Sequence, residues 1–408
     1  MKILFVSCLL PYPKVLHGGG TDLFHLIESL AQRHEVHLIS LAAEEEAEQA
    51  HEMTPYCASV RTVVPAWSWR QKLRNALRGG WRHPLSLGRR AQGLVRAGIR
   101  RTCLDRGIDV VQFEWTETGG YVDAVPNGDA VRILDEVDVS FRPAAHRAAN
   151  APRWTTPLAQ WRARQAETHE LALCRRFDAV LTRSKHDRRV LLERLGSPAP
   201  PVHLLEPWTH VHPFVDVTGD NACPGRLLFL GAMDRDENYE AAAYLAKDIF
   251  PLVRARCPNT ELSITGARPQ ARVLRLSGEA GVHVTGYVED LRSAYAACDV
   301  FVAPMRTPGG IFNKIVDAMG AGRPVVTTSL GNEGLAAPVD SAVLVADDPS
   351  GLADRIVALL QDRALWRQVA ASGRRHVQVK YRWADNVARL EALYDSLVDS
   401  KRRAGGGR

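Results

Sequence analysis

Short, continuous apolar runs alternate with helical segments along most of this 408-residue chain, and this alternation restricts its fold more than any other feature. Runs such as KILFVSCLL, EVHLISLA and DVVQFEW contain few polar positions, which is typical of parallel strands covered on both faces. Between the runs, apolar residues recur at helical spacing, as Leu23, Ile27 and Leu30 do. The pattern predicts an α/β protein with doubly wound parallel sheets.

The alternation pauses once and then restarts, which predicts two domains. The proline-rich stretch SPAPPVHLLEPWTHVHPF, residues 197–214, is interpreted as the connector, and the chain is also too long for one ordinary core. We predict a first Rossmann-like domain over residues 1–205 and a second over 206–382, with a cleft between them. The last helix, 383–400, is expected to cross back to the first domain, and the basic tail 401–408 to be disordered.

The stretch GGIFNKIVDAMGAGRPVV, residues 309–326, predicts a glycine-rich loop, a short helix, a turn and a buried strand. Such a loop lets the backbone approach a phosphate, and the helix N-terminus offers N–H groups and a partial positive charge. Lys314, in the first helical turn, could add a full charge. Asp317, about one turn later, could accept hydrogen bonds from ribose hydroxyls. The alternative is an ordinary loop–helix–strand unit without a ligand.

The net charge of +6 is concentrated in one segment. Residues 70–101 contain ten Arg or Lys and no Asp or Glu, so the rest of the chain is at about −4 (6 − 10). The segment could contact an anionic membrane surface or an acidic acceptor. The breaks at Gly79, Gly80 and Pro84 favour the alternative, a solvated helical surface. Nucleic acid is not an expected partner, because no basic–aromatic strand motif or helix-turn-helix accompanies the charge.

Composition indicates a cytoplasmic protein, peripheral at the inner membrane face if the basic segment binds there. No apolar run approaches the length of a membrane span, and the first residues lack the pattern of a signal peptide. The seven cysteines are odd in number, scattered and without metal-ligand spacing, which is typical of buried thiols.

Several stretches together identify a family resemblance. In the second half, LFLGAMDRDENYEAA, VHVTGYVEDLRSAYAACDVFVAPM, NKIVDAMGAGRPVVTT and GNEGL follow one another, and LPYPKVLHGGGTDLFHLIESLAQRHEVHLISL lies near the start. In this order the chain resembles GT-B glycosyltransferases, most of all the retaining, nucleotide-sugar-dependent enzymes of glycosyltransferase family 4. The resemblance covers nearly the whole length and implies a GT-B fold, with two Rossmann-like domains facing a central cleft.

The resemblance implies that backbone groups hold much of the donor. The segment at Tyr287 and Val288 corresponds to the part that contacts the nucleobase. Gly309, Gly310 and Ile311 correspond to the turn whose amides meet the diphosphate and the donor sugar. An ordinary strand end or turn is the alternative at each position.

Side chains and a second glycine loop complete the implied donor site. Asp317 corresponds to the acid that binds ribose, and Lys314 could contact phosphate or be solvated. Glu333, in GNEGL, could lie close to the donor sugar or stabilise a turn. Gly19 and Gly20 match the N-terminal glycine loop, which approaches the donor phosphate or the acceptor across the cleft.

The chain departs from the family pattern at several charged positions. Gly309 stands where the first acid of the family's paired-acid motif is expected. The Arg and Lys that commonly clamp the diphosphate correspond to about Ala232 and Asn238, and nearby Arg235 could substitute. The family's frequent histidine near the donor sugar corresponds to Val137. Whether these losses abolish activity is left open by the sequence.

Acceptor-binding residues are expected at the strand ends of the first domain. Glu114 ends one predicted strand and Asp138 follows the next, and either carboxylate could orient an acceptor hydroxyl. A helix cap or a surface acid is the alternative for both. With Lys314 they are the candidate catalytic residues. In a retaining enzyme of this kind the donor phosphate can itself take the acceptor proton, so the loss of the histidine does not exclude catalysis.

The sequence thus predicts a hexosyltransferase acting from a nucleotide-sugar donor on a hydroxyl of a glycan, lipid-linked or small-molecule acceptor. We expect no metal or other cofactor, in which case amide groups, a helix dipole and Lys or Arg must neutralise the leaving diphosphate. The alternative is a catalytically degenerate or partner-activated GT-B protein that binds a nucleotide sugar. The donor base, the sugar, the acceptor and the oligomeric state are not defined by the sequence.

Overall fold

The protein is represented by a computed structural model that describes residues 1–15, 18–65, 89–128, 130–207 and 224–405. The chain divides into two compact units. The first comprises Met1–Trp208 and Trp383–Arg408, and the second comprises Thr209–Arg382.

The first unit contains a parallel sheet of seven strands in the order β3-β2-β1-β4-β5-β6-β7. Its strands are Lys2–Ser7 (β1), Glu35–Leu41 (β2), Ser59–Val63 (β3), Val110–Glu114 (β4), Val131–Glu136 (β5), Ala179–Thr182 (β6) and Val202–Leu204 (β7). The α-helices between them are Gly18–Ala31 (α1), Arg89–Arg106 (α2), Trp115–Gly119 (α3), Phe141–Ala149 (α4), Thr156–Cys174 (α5) and Lys185–Leu195 (α6).

Both faces of this sheet are covered, which explains why its strands are continuous apolar runs. Leu4 and Val6 of β1 belong to the buried cluster on one face, whereas Ile3 and Phe5 belong to the cluster on the other. All four are at most 2% exposed. Successive side chains point to opposite faces of a strand, so a strand in the middle of this sheet can tolerate few polar residues.

The second unit contains a parallel sheet of six strands in the order β10-β9-β8-β11-β12-β13. Its strands are Arg226–Leu230 (β8), Glu261–Thr265 (β9), Val282–Gly286 (β10), Val300–Ala303 (β11), Val325–Thr327 (β12) and Leu344–Val345 (β13). Its α-helices are Asp236–Tyr244 (α7), Phe250–Arg256 (α8), Ala271–Leu274 (α9), Leu291–Ala297 (α10), Asn313–Gly320 (α11), Ser329–Glu333 (α12), Pro349–Gln361 (α13) and Arg363–Lys380 (α14). The predicted parallel α/β architecture is confirmed in both units.

The last helix, Trp383–Gly405 (α15), packs on the first unit. The Tyr394 hydroxyl donates to Gln112 of β4 in the interior. The prediction of a disordered tail from residue 401 is wrong for 401–405. The Lys401 amine lies 2.6 Å from a carboxylate oxygen of Asp178, and Arg402 lies 2.7 Å from Asp109, so ion pairs hold this last part of the helix.

The predicted connector, 197–214, also needs correction, because Val202–Leu204 forms β7 at the edge of the first sheet. Val202 pairs with Val180 of β6. The prolines of this stretch flank the strand and do not lie within it, so they remove no hydrogen bond from its ladder. Residues 208–223 lie outside the described part of the chain. Among the described helices, none combines the length and apolar character that crossing a bilayer requires.

Candidate donor-binding site

The candidate site of the second unit begins where β8 ends, at a close approach of two chain segments. β8 is followed by Gly231, and a Cβ atom added there would lie 2.8 Å from the Asn238 side chain and 2.8 Å from Lys314 Nζ. Only a glycine therefore lets these two side chains meet above the end of the strand. Because β11 pairs directly with β8, the loop and helix that follow β11 reach the same edge of the sheet.

Lys314 is half-buried at this edge, and its amine donates a hydrogen bond to Asn238 Oδ1. The Asn238 amide in turn donates to the carbonyl of Ala232 at 2.9 Å. The amine also lies 4.8 Å from the centre of the Phe229 ring. Ala232 and Asn238 are the positions at which the family resemblance places the lost Arg and Lys. Lys314, which belongs to α11, therefore places an amine beside Asn238, where the resemblance leads us to expect a lysine.

Burial lowers the pKa of Lys314 to about 7, an effect that Glu237 opposes and Arg235 reinforces. Desolvation penalises the charged form of an amine, and a hydrogen bond to a neutral amide compensates for little of that cost. An anion placed beside the amine would favour the charged form again. Arg235, predicted as a substitute cation, is about half exposed and lies 3.6 Å from the carboxylate of Glu237.

The predicted glycine-rich loop and short helix are present, with α11 starting at Asn313. The N-cap residue of α11 is Phe312, whose side chain cannot accept hydrogen bonds from the first-turn amides. A Cβ atom at Gly309 would lie 2.9 Å from the Phe312 ring. The Phe312 ring therefore fills the space that a side chain at position 309 would need. This gives a steric reason why Gly309 stands where the family has the first acid of its paired-acid motif.

Glu333 is brought to the same turn by another close approach. It ends α12, and a Cβ atom at the next residue, Gly334, would lie 2.1 Å from the Gly310 carbonyl oxygen. The predicted donor-sugar residue and the predicted diphosphate turn are therefore neighbours. Gly310 is buried, whereas Ile311 and Glu333 are half-buried.

Asp317 lies on α11 one turn after Lys314, as predicted, but it is only 5% exposed. Burial raises the pKa of the Tyr295 hydroxyl, and the Asp317 charge contributes to that rise. Tyr287, by contrast, is 58% exposed just beyond β10, and Val288 beside it is half-buried. A ribose would have to reach Asp317 through a narrow opening, whereas a base has open access to the segment after β10.

Two carboxylates that could attract a cation also follow β8, and both are paired with arginines. Asp234 lies 2.7 Å from Arg268, and Asp236 forms an ion pair with Arg272. In the described ranges, no group of three or more His, Cys, Asp or Glu side chains is arranged to hold a metal ion.

The strand ends of the first unit contain a buried charge cluster that the sequence did not reveal. Arg183, directly after β6, lies 2.8 Å from Asp22, 2.7 Å from Asp135 and 3.8 Å from Glu114. Three carboxylates surround one guanidinium, all of them at most 3% exposed. Burial, with the charge of Asp135 next, raises the pKa of Glu114 well above its usual range. Burial likewise raises the pKa of Asp135 to about 6.

This cluster changes the interpretation of Glu114. The carboxylate is fully buried, and Gln112 donates a hydrogen bond to it at 2.7 Å. An acceptor hydroxyl cannot contact Glu114 unless the cluster opens. Asp138, the other acceptor-side candidate, is exposed two residues after β5.

The predicted N-terminal glycine loop is instead the first turn of α1, which starts at Gly18. A Cβ atom at Gly19 would lie 2.5 Å from the Trp115 ring. Trp115 itself has a φ of 65°, a left-handed conformation that side chains rarely adopt. Gly19 therefore makes room for the indole, and Gly20 is buried beside it.

A family model described as glycosyl transferases group 1 matches residues 224–362, which include every donor-side candidate from Ala232 to Glu333. The match lies within the second unit, Thr209–Arg382. The resemblance to GT-B glycosyltransferases that was predicted from the sequence is thereby confirmed.

Curated relatives match less than half of the chain. A phosphatidyl-myo-inositol mannosyltransferase of Mycobacterium tuberculosis (strain CDC 1551 / Oshkosh) is 31% identical over 188 residues, which are 43% of this chain and 48% of that protein. A GDP-mannose-dependent monoacylated alpha-(1-6)-phosphatidylinositol monomannoside mannosyltransferase of Corynebacterium glutamicum is 28% identical over 195 residues, 45% of this chain and 49% of that protein. The chain thus spans about half the length of the curated relatives it matches.

Solved structures resemble the chain over nearly its full length. Sucrose-phosphate synthase of Thermosynechococcus elongatus has a TM-score of 0.72 at 17% identity, covering 98% of this chain and 100% of that one. HepE of Anabaena, solved in complex with UDP and glucose, has a TM-score of 0.66 at 13% identity, covering 97% and 100%. At these identities the likeness shows the fold alone, and it agrees with the predicted GT-B class.

Proposed function

We propose that this protein is a retaining glycosyltransferase that moves a sugar from a nucleotide-sugar donor to a hydroxyl of an acceptor. The contact of Lys314 with Asn238 carries the proposal. Asn238 stands where the family commonly has a lysine that clamps the diphosphate, and Lys314 supplies an amine at that place, beside the glycine turn. The names of the relatives support the donor and acceptor classes: two are mannosyltransferases for phosphatidylinositol lipids, and HepE was solved with UDP. We therefore favour a lipid-linked acceptor over a small soluble one.

In this proposal the leaving diphosphate is neutralised by the protein alone. The amides of Gly309 to Ile311 and the N-terminus of α11 face the phosphates, and Lys314 becomes charged when the anion arrives. Such fixed dipoles and charges act strongly in a site from which water is excluded. Asp317 accepts hydrogen bonds from the ribose, and the backbone at Tyr287 and Val288 contacts the base.

The transfer step needs no protein base. The acceptor oxygen forms a bond to the anomeric carbon while the bond from that carbon to the diphosphate oxygen breaks. The acceptor proton passes to the departing phosphate oxygen, so the nucleoside diphosphate leaves with that proton. Attack from the face of the leaving group retains the anomeric configuration. Glu333, next to Gly310, orients the donor sugar.

On the acceptor side we propose different roles for the two carboxylates. Asp138 is exposed and orients the acceptor hydroxyl. Glu114 acts as a positioning residue, because it is enclosed with Arg183 and Asp135 and holds the ends of β4, β5 and β6 together. We also propose that no metal takes part, since the arginine partners of Asp234 and Asp236 compete with a cation for their oxygens.

The test is release of nucleoside diphosphate from a panel of UDP-, GDP- and dTDP-sugars, with phosphatidylinositol vesicles or soluble sugars as acceptors and with or without EDTA. We expect acceptor-dependent turnover of one donor, insensitive to EDTA, with a product of unchanged anomeric configuration by NMR. Binding of a donor without turnover on any acceptor would contradict the proposal and favour the catalytically degenerate alternative, which the missing acid at Gly309 also supports.

A further inference from the structure

The hairpin formed by α4 and α5 has an unusual surface at its tip, residues 147–164. We propose that this tip docks on the surface of an anionic lipid bilayer. The inference concerns the first unit alone and does not depend on the proposed activity.

The tip exposes large apolar side chains to solvent. Trp154, between the two helices, is 85% exposed, and Leu158 and Trp161 are each 50% exposed. Leu158 and Trp161 are three residues apart on α5, so they lie on the same side of the helix. The buried residues of α5 lie mostly in its C-terminal half, and only Ala163 is buried before Glu170. Isolated exposed apolar residues are common, but a local group with two tryptophans marks an interaction surface.

The same surface has a strong positive charge. The 28 residues from 139 to 166 contain no Asp or Glu. Four arginines at the tip are exposed and have no carboxylate within 4.0 Å among the described residues: Arg147, Arg153, Arg162 and Arg164. Arg142, at the base of the hairpin, is by contrast paired with Asp187 at 2.7 Å. The uncompensated charge is therefore confined to the end that bears the tryptophans.

This combination fits a bilayer surface better than a protein surface. Indole rings favour the boundary between headgroups and acyl chains, because the apolar part of the ring contacts the acyl chains while its N–H remains hydrated. Arginines flanking them are attracted by anionic headgroups. A bilayer with anionic lipids presents negative charge over its whole surface, which suits four unpaired arginines spread over one tip. The tip, residues 147–164, would lie in the headgroup region, with the Trp154 side chain inserted into the bilayer.

The test is sedimentation of the full chain with phosphatidylcholine vesicles that contain or lack phosphatidylglycerol. We expect binding only to the anionic vesicles. Replacing Arg153→Gln and Arg162→Gln should weaken it about 25-fold, since each basic residue contributes about fivefold at such a surface. Trp154→Ser should weaken it as well, and because the side chain is 85% exposed the variant should unfold at the wild-type temperature.

The matched control is Arg375→Gln with Val379→Ser, an exposed basic and apolar pair on α14 in which Val379 is 71% exposed. It should bind vesicles like the wild type. The proposal is overturned if the wild type ignores anionic vesicles, or if the tip variants bind as it does. It is also overturned if binding is lost only on neutralising the basic stretch at Arg70, Arg74, Arg78 and Arg82. Concentration-dependent self-association that Trp154→Ser abolishes, without vesicle binding, would assign the tip to a second copy instead.

Discussion

Donor binding should take up one proton, and Lys314→Met should abolish that uptake. In the free protein, burial holds the pKa of Lys314 at about 7. A bound diphosphate places negative charge beside the amine and favours its charged form. Above pH 7 the amine must therefore gain a proton on binding, so the dissociation constant should rise about tenfold per pH unit. Between pH 7.5 and 9.0 the loss of affinity should be about 30-fold.

Isothermal titration calorimetry measures both quantities. The ligand is the nucleotide sugar that the wild type binds, whose phosphates do not titrate near neutral pH, so any uptake belongs to the protein. Titrations in two buffers of different ionisation enthalpy give the number of protons. Lys314→Met should bind more weakly at pH 7, by about 1.5–3 kcal/mol for a lost charge-assisted contact, and its affinity should not change with pH. Lys247→Met, at an exposed lysine of the same unit, should keep the wild-type slope.

Two results would refute this reasoning. A wild-type affinity that is constant from pH 7.5 to 9.0, with no proton uptake, would mean that Lys314 does not meet the phosphates in its charged form. A slope that persists in Lys314→Met would assign the titration to another group.

Three further predictions concern neighbouring features. Asp317→Asn should weaken binding of nucleoside diphosphate but not of inorganic pyrophosphate, and equal losses would contradict the ribose assignment. Burial raises the pKa of Asp135 from 3.8 to about 6, so this carboxyl keeps its proton to a higher pH in the folded protein than in the unfolded chain. The free energy of unfolding should therefore fall as the pH rises from 3.8 to 6. Relative to Asp135→Asn, the wild type should lose about 2 kcal/mol between pH 4 and 7 in urea titrations, whereas a constant difference would contradict the buried-acid account. Gly309→Glu should lower the melting temperature through its contact with the Phe312 ring, and Phe312→Ala should restore it; no restoration would refute the steric explanation.

The fold could be predicted because strands buried on both faces leave an unambiguous sequence pattern. The apolar runs KILFVSCLL, EVHLISLA and DVVQFEW all form strands, and the errors lie at their ends: the first run extends to Leu10, whereas β1 ends at Ser7. Strand β7 was missed because three residues at the sheet edge carry little pattern and the flanking prolines resemble a linker. The helical tail was missed because ion pairs with Asp178 and Asp109, which are distant in sequence, hold it.

The meeting of Lys314 with Asn238 could not be predicted from either motif alone. The two residues are 76 positions apart, and the loss of a lysine at 238 was noted separately from the presence of one at 314. The missing information was the strand order, in which β8 and β11 are neighbours. With that strand order, both residues fall at the same end of the sheet.

The Arg183 cluster could have been suspected on charge grounds. Glu114 and Asp135 interrupt otherwise apolar strands, and a buried carboxylate requires a cationic or hydrogen-bonding partner. An arginine directly after β6, at the same end of the sheet, was available for that role. Its distances to the three carboxylates depend on packing between α1 and the sheet, which no local sequence pattern encodes.

The most direct test of the account is the dissociation constant of the nucleotide sugar for the wild type, for Lys314→Met, and for Lys314→Met combined with Asn238→Lys. The account predicts a loss of about 10- to 150-fold in the single variant, because one charge-assisted contact is removed. The double variant, which returns an amine to position 238, should regain most of that affinity. An unchanged dissociation constant in Lys314→Met would contradict the claim that this lysine supplies the cation of the donor site.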